Sequence, residues 1–118
     1  MRLLAVVFLV AASLAPIAAQ EVYRPGNGVS LPTPIKQVKA GYTEEAKQRQ
    51  IEGEVVLDVV VDSQGAVTDV KVARSLDDMW GLDKQAVAAA RQWTFKPGMK
   101  DGKPVAVRVM LQMRFTLK

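Results

Sequence analysis

The chain has 118 residues, a formal net charge of +4, and no cysteine or histidine. These absences rule out disulfides and thiol nucleophiles and remove the commonest general base and metal ligand, so we expect no enzymatic activity, no metal site and no cofactor. Lysine and arginine are spread along the chain rather than clustered, so nucleic-acid binding is not expected either. The length suits one small domain, and the missing catalytic groups favour a binding function.

Residues 1–19 have the pattern of a signal peptide. Arg2 gives a positive start, residues 3–14 are uncharged and apolar, and residues 15–19 include small residues. We predict that this segment directs export and is cleaved after Ala19. The alternative is a retained inner-membrane anchor, although about seventeen apolar residues interrupted by Pro16 are at the short limit for spanning a bilayer. Contact with a membrane is expected only in that alternative.

Residues 20–41 are predicted to form an extended tether. Residues 25–28, Pro-Gly-Asn-Gly, favour turns, and Pro32 and Pro34 favour extended backbone. The stretch has no periodic apolar pattern. The folded domain is therefore predicted to comprise residues 42–118.

A short helix and a β-hairpin are predicted next in chain order. Thr43 is placed to cap a helix that ends near Gly53. Apolar residues then alternate, so positions 55, 57, 59 and 61 share one face of a first strand. Residues 62–65, Asp-Ser-Gln-Gly, predict a turn, and a second strand follows with Val70 and Val72 facing the core.

A second helix and a long final strand complete the pattern. The apolar residues at 82, 86, 89, 90 and 93 recur at helical spacing, on a helix that Pro97 must end. From 105 to 117 every odd position is apolar, whereas the even positions include Arg108, Gln112 and Arg114. This alternation is typical of a strand with one buried and one solvent-facing side. The run is longer than an ordinary strand, so we expect part of its edge to find no partner within the chain.

The order helix, strand, strand, helix, strand predicts an α+β fold with two layers: a three-stranded antiparallel sheet with two helices on one face. Acidic side chains face outward on the first strand and arginines on the last, so we place the first strand in the centre and the last on an edge. The predicted core residues are Tyr42, Val55, Leu57, Val59, Leu82, Ala86, Trp93, Phe95 and Phe115.

An ordered set of short motifs resembles the C-terminal domain of TonB proteins. The set comprises Tyr42 with Ala46, IEGEVVL at 51–57, DSQGAV at 62–67, VARS at 72–75, LDKQAV at 82–87, WTFKP at 93–97, GKPV at 102–105 and FTL at 115–117. The resemblance covers nearly all of residues 35–118. Two positions depart from the family pattern, because Thr43 stands in place of a proline and Thr94 in place of an arginine.

The resemblance implies a periplasmic module in energy-coupled transport. In the family, the TonB box, a short extended peptide of an outer-membrane transporter, adds as a strand to the sheet edge. We therefore expect a TonB-dependent transporter of the outer membrane, or another envelope protein, to dock on the final strand. The predicted docking residues are Val107, Arg108, Val109, Met110, Leu111, Gln112, Met113 and Arg114.

Two alternatives stay open. A full energy transducer would retain residues 3–19 as an inner-membrane anchor, but TonB transducers engage a proton-driven motor through a membrane histidine, which this chain lacks. A self-associating structural domain would instead pair two final strands across a homodimer. The mature N-terminus tests the first alternative, and sedimentation at several concentrations tests the second.

Overall fold

A computed structural model describes residues 21–118, so the predicted signal peptide and its cleavage position lie outside the described residues. Residues 21–118 form two helices and seven strands. The helices are α1 (Glu44–Gln48) and α2 (Leu82–Ala90). The strands are β1 (Val22–Tyr23), β2 (Thr33–Lys36), β3 (Gly53–Val61), β4 (Val67–Arg74), β5 (Thr94–Lys96), β6 (Gly98–Lys100) and β7 (Lys103–Phe115).

The centre of the fold is an antiparallel arrangement of the three long strands in the order β4, β3, β7. The first long strand therefore lies in the middle, as predicted. Val55, Leu57, Val59 and Val61 alternate along β3 and are fully buried. Their burial follows from the period of two, because successive side chains of a strand point to opposite faces.

Both helices contribute to the core on this buried face. Thr43 caps α1 as predicted, since its Oγ1 accepts a hydrogen bond of 3.2 Å from the backbone N–H of Ala46. On α2, Leu82 and Ala86 are fully buried. Small alanine side chains on this face allow the helix axis to lie close to the sheet.

The C-terminal end of α2 differs from the prediction. The helix ends at Ala90 rather than near Pro97. The backbone N–H of Trp93 bonds to the carbonyl of Ala90 in the closing turn (3.1 Å), and the chain then extends into β5. The extended residues pair with β2, so tertiary pairing overrides the helical spacing of Trp93.

The turn between β3 and β4 depends on Gly65. This residue has a φ of +86°, and a Cβ there would lie 1.9 Å from the carbonyl oxygen of Phe95. Asp62 supports the turn through its Oδ1, which accepts the backbone N–H groups of Gln64 and Ala66 at 2.9 Å each. The predicted hairpin is thus present, and β5 packs closely against its tip.

The predicted number of strands is wrong. Four short strands, β1, β2, β5 and β6, accompany the three long ones. Because β1 pairs with β7 in parallel, the five-stranded sheet is mixed rather than antiparallel, and β2 and β5 form a separate two-stranded sheet. Strands of two to four residues contain too few positions for an alternating pattern, so their sequences do not reveal them.

The described part of the predicted tether is extended, but it lies against the domain. Val29 is buried, and the backbone N–H of Ser30 donates to the carbonyl of Met99 at 3.0 Å. Farther along, β2 pairs with β5. The domain boundary at residue 42 stays a prediction.

Seven of the nine predicted core residues are buried, and Tyr42 and Trp93 are partly buried. The rings of Tyr42 and Phe115 meet edge to face, with centroids 5.5 Å apart. The indole N–H of Trp93 donates to the carbonyl of Val38 at 2.9 Å. These contacts join the end of β7 and the segment before α1 to the core.

Candidate functional site

β3 occupies one edge of β7 from Val107 to Phe115. Residues 53–61 pair with residues 107–115 in an unbroken antiparallel register, from Gly53 opposite Phe115 to Val61 opposite Val107. The apolar residues of the two strands therefore coincide, with Leu57 opposite Leu111 on the buried face.

The other edge of β7, here called the outer edge, is only partly occupied. β1 pairs with Ala106 and Val107 on this edge. β6 pairs with residues 103–105, which precede the residues that β3 pairs with. Among the described residues, no strand other than β3 pairs with residues 108–115. We call this part of the outer edge the open stretch. At roughly 3.3 Å per residue, it is about 26 Å long.

Two ion pairs cross from β7 to β3 on the solvent-facing side of the sheet. An Nη of Arg108 lies 2.9 Å from Oδ1 of Asp58, and an Nη of Arg114 lies 2.5 Å from Oε2 of Glu54. The predicted pairing of arginines on the last strand with acids on the first is therefore confirmed. Such pairs favour this strand neighbour by a few tenths to about 1 kcal/mol each.

Two clefts flank the open stretch. One, of about 270 Å³, lies where Arg24, Pro25 and Leu31 approach Arg108 and Met110. Leu31 and Met110 are both 62% exposed, so this cleft has an apolar rim.

The second cleft, of about 320 Å³, lies at the other end of the open stretch. Its lining includes Val38, Ala40, Trp93 and Gln112. An added strand would thus run between two concave regions that can accept its side chains.

Seven of the eight predicted docking residues lie on the open stretch, from Arg108 to Arg114. Val107 does not, because Tyr23 is its partner on the outer edge. Sequence analysis missed Tyr23 and Leu31 as neighbours of this edge. Two apolar residues next to turn formers give too short a signal to place such a segment on a sheet.

Asp77 before α2 and Asp83 in its first turn form a structural network. Oδ1 of Asp83 accepts the backbone N–H groups of Leu76 and Asp77, at 3.0 Å each, and its other oxygen accepts the Ser75 hydroxyl at 2.5 Å. Asp77 in turn accepts three backbone N–H groups, among them that of Leu82 in the first turn of α2. These two carboxylates therefore hold the loop before α2 to the first turn of the helix.

The electrostatics of Asp77 follow from these contacts. Burial raises the pKa of its carboxyl, but hydrogen bonds from the backbone of Trp80, Leu82 and Met79 together outweigh that effect, and the pKa is lowered from its ordinary value of 3.8. The charged form is therefore the one that the fold stabilises. A carboxylate saturated with backbone donors is suited to holding a loop rather than to proton transfer.

Residues 21–118 contain no group of three or more metal-ligating side chains. In the same part of the chain, neither α1 nor α2 has the length and apolar character needed to cross a membrane.

Comparison with known proteins identifies the family. The family model described as the C-terminal of the Gram-negative bacterial TonB protein matches residues 38–117, so the chain belongs to the TonB C-terminal domain family. Protein TonB of Vibrio cholerae is 37% identical over 82 residues, which is 70% of this chain and 33% of that protein. Protein TonB of Xanthomonas campestris is 38% identical over 76 residues, or 64% of this chain and 34% of that protein. The chain thus spans about a third of the length of these relatives.

Solved structures support the same fold. The solution structure of the Pseudomonas aeruginosa TonB C-terminal domain has a TM-score of 0.55 and 24% identity, and the match covers 79% of this chain and 92% of that one. The TonB2 protein of Vibrio anguillarum has a TM-score of 0.51 and 20% identity, with 88% and 99% covered. TonB family proteins are non-enzymatic energy transducers, so membership also agrees with the expectation that the chain is not an enzyme.

Proposed function

We propose that this chain is a periplasmic binding module that takes an extended peptide of an outer-membrane transporter onto the open stretch of β7, in energy-coupled transport. The observation that carries the proposal is that residues 108–115 have β3 on one side and no second strand among the described residues. Membership of the TonB C-terminal domain family supports this choice of partner.

Strand addition follows from the backbone chemistry of such an edge. The N–H and C=O groups of a strand alternate in direction, so about half of those on the open stretch point away from β3. An added strand satisfies them and gains main-chain hydrogen bonds, while pockets for alternate side chains give selectivity. The two clefts near Met110 and Gln112 are placed to accept such side chains.

Titration calorimetry with synthetic peptides tests the proposal. The peptides are segments of about eight residues, long enough to pair along the open stretch, taken from the periplasmic N-terminal regions of outer-membrane transporters of the same organism. The expected result is saturable binding by at least one segment. The control is the same peptide with alternate backbone nitrogens methylated, which keeps every side chain but removes donors. Equal affinity for both forms would contradict strand addition.

Self-association uses the same edge and is a separate outcome. A free edge accepts a copy of its own strand as readily as a peptide, and two β7 strands could pair across a two-fold axis. Sedimentation velocity at several concentrations distinguishes the two cases. A monomer that binds peptide supports the proposal, whereas a dimer that excludes the peptide supports a structural role.

We also propose export to the periplasm with removal of residues 1–19, the inner-membrane anchored form being the alternative. The pattern of a positive start, an apolar stretch and small residues supports cleavage. Mass spectrometry of the mature chain tests it. A mature form that begins near Gln20 is expected, and a chain that retains residues 3–19 in the membrane fraction would favour the full transducer.

A further inference from the structure

The outer edge of β7 already carries one added strand, which comes from this same chain. Val22 and Tyr23 of β1 pair in parallel with Ala106 and Val107. They stand immediately before the open stretch, which begins at Arg108. One part of the edge proposed to bind a peptide is therefore occupied by the chain itself, and the part that follows is open to a partner.

The contacts that keep β1 on this edge are few and exposed. The strand has only two residues, and Val22 is 40% exposed. The Tyr23 ring lies under the ammonium group of Lys100, at 4.7 Å from its centroid, and its hydroxyl donates to Glu21 in an exposed contact of 3.2 Å. Exposed contacts of this kind contribute little, because water competes for each of them.

The residues that follow β1 are held much more firmly. Val29 is buried at 7% exposure, and Ser30 makes two hydrogen bonds with the backbone of Met99, of 3.0 and 2.9 Å. Gly26 and Val29 close a small turn through reciprocal backbone bonds. Val29 and Ser30 are therefore an anchor that stays on the domain when β1 leaves.

A hinge separates the anchor from β1. Gly26, Asn27 and Gly28 have φ values of +104°, +51° and +87°, a run of left-handed backbone that only glycine and asparagine adopt readily. A Cβ at Gly26 or Gly28 would meet nothing within 4 Å, so the glycines serve the backbone conformation and not close packing. Such a segment can change direction without disturbing the core.

We propose that β1 is a tethered strand that occupies residues 106 and 107 of the docking edge, and that a partner peptide uses the whole edge only after β1 swings away on this hinge. The inference rests on the proposed docking function. Because β1 and the peptide exclude each other at two positions, a long peptide binds only molecules in which β1 is released. Its apparent affinity is therefore its affinity for the released form multiplied by the fraction of molecules in that form. The affinity for a short peptide that pairs only with the open stretch does not depend on β1.

Locking β1 onto β7 tests the proposal in the full mature chain. The double variant Val22→Cys/Ala106→Cys places two thiols at paired positions of neighbouring strands, in a chain that has no other cysteine. Two probe peptides are compared, one of about six residues that fits within the open stretch and one of about ten that extends over residue 107. Oxidation is expected to lower the affinity for the long peptide about 3- to 10-fold and to leave the affinity for the short peptide unchanged. Reduction of the disulfide should restore the affinity for the long peptide.

Releasing β1 gives the opposite test and does not depend on forming a disulfide. Val22→Pro is expected to raise the affinity for the long peptide by up to about the same factor, because it disfavours the pairing of β1 with β7. Glu21→Pro is the control, because Glu21 lies just outside β1, pairs with no strand and loses only its exposed contact with the Tyr23 hydroxyl. Amide exchange at Ala106, whose N–H points away from β3, reports the occupancy of β1 without any peptide.

The two experiments separate the failure of each idea. If neither peptide binds native, locked or released chains, the docking function fails. If both peptides bind all three chains with equal affinity, while exchange shows that β1 is locked or released as designed, the tethered-strand proposal is overturned and docking stands. If Val22→Pro leaves amide exchange at Ala106 unchanged, β1 does not occupy the edge in solution and the proposal is likewise overturned.

Discussion

The two strands that flank β3 differ in how well they can accept another strand. β7 follows β3 through nine consecutive pairs without a shift, whereas the pairing of β4 with β3 shifts register twice, near Val56 and near Val61. Bulges bend and twist a strand and are a common means of protecting an edge against unwanted pairing. β7 thus pairs with β3 in an unbroken register and β4 in an irregular one, which is why we propose docking on β7.

Burial separates the same two strands. Phe115 on β7 is 2% exposed and contacts Tyr42, whereas Val72 on β4 is 41% exposed although it faces the helix layer. β7 is therefore both an open edge and a strand fixed by the core. An edge that is rigid before binding loses less conformational entropy when a peptide pairs with it.

The largest expected effect tests this difference in burial. Phe115→Ala should destabilise the fold by about 3–5 kcal/mol, because it leaves a cavity beside Tyr42, while Val72→Ala should cost less than about 1 kcal/mol. Urea unfolding followed by tryptophan fluorescence measures both. Similar losses would mean that the two strands are equally part of the core.

The next effect concerns docking. Gln112→Pro removes a backbone donor from the middle of the open stretch and should weaken peptide binding tenfold or more, equivalent to at least about 1.4 kcal/mol. Lys71→Pro on β4 is the control and should leave peptide affinity unchanged. Both variants must first show native-like circular dichroism. A folded Gln112→Pro variant with full affinity would exclude the open stretch as the docking site.

A smaller effect is expected from the ion pairs that hold β7 to β3. Arg108→Met leaves Asp58, which is 26% exposed, without its partner, and should cost about 1 kcal/mol. Arg114→Met should cost less than about 0.5 kcal/mol, because Arg114 is 66% exposed. Thermal unfolding of both variants at low and high salt measures these losses of stability. A larger loss for Arg114 would contradict this ranking.

The smallest expected effect is a dependence on pH from the loop between β4 and α2. The pKa of Asp77 is lowered in the folded chain, so its contribution to stability is present above the ordinary value of 3.8 and is lost as the pH falls through the folded value. Asp77→Asn should flatten the part of the stability profile that lies around and below pH 3.8. An unchanged profile would show that Asp77 does not hold this loop.

The long elements could be predicted from sequence because many regularly spaced apolar residues of each element are buried in the core. Strand β3 and strand β7 have many alternating positions, and the arginines of one and the acids of the other indicated that they are neighbours. The end of α2 was mistaken because Trp93 continues the helical spacing, while pairing with β2 decides the backbone after it.

The parts of the candidate site formed by the N-terminal segment could not be predicted. Val22 and Tyr23 are recognised as a strand only through their pairing with Ala106 and Val107, which are more than eighty residues away. The open stretch itself follows from the length of the final alternating run, but its starting point at Arg108 is set by β1. Local patterns predicted the edge, and only the tertiary structure shows its limit.

The central claim is that a partner strand pairs with residues 108–115 of β7. The most direct measurement is a set of intermolecular nuclear Overhauser effects between an unlabelled transporter peptide and the isotope-labelled chain. The account predicts backbone-to-backbone contacts from the peptide to the open stretch, with protected amides at alternate residues there and unchanged amides along Val67–Arg74. Contacts that fall on β4, or that involve side chains without any backbone pairing on β7, would contradict it.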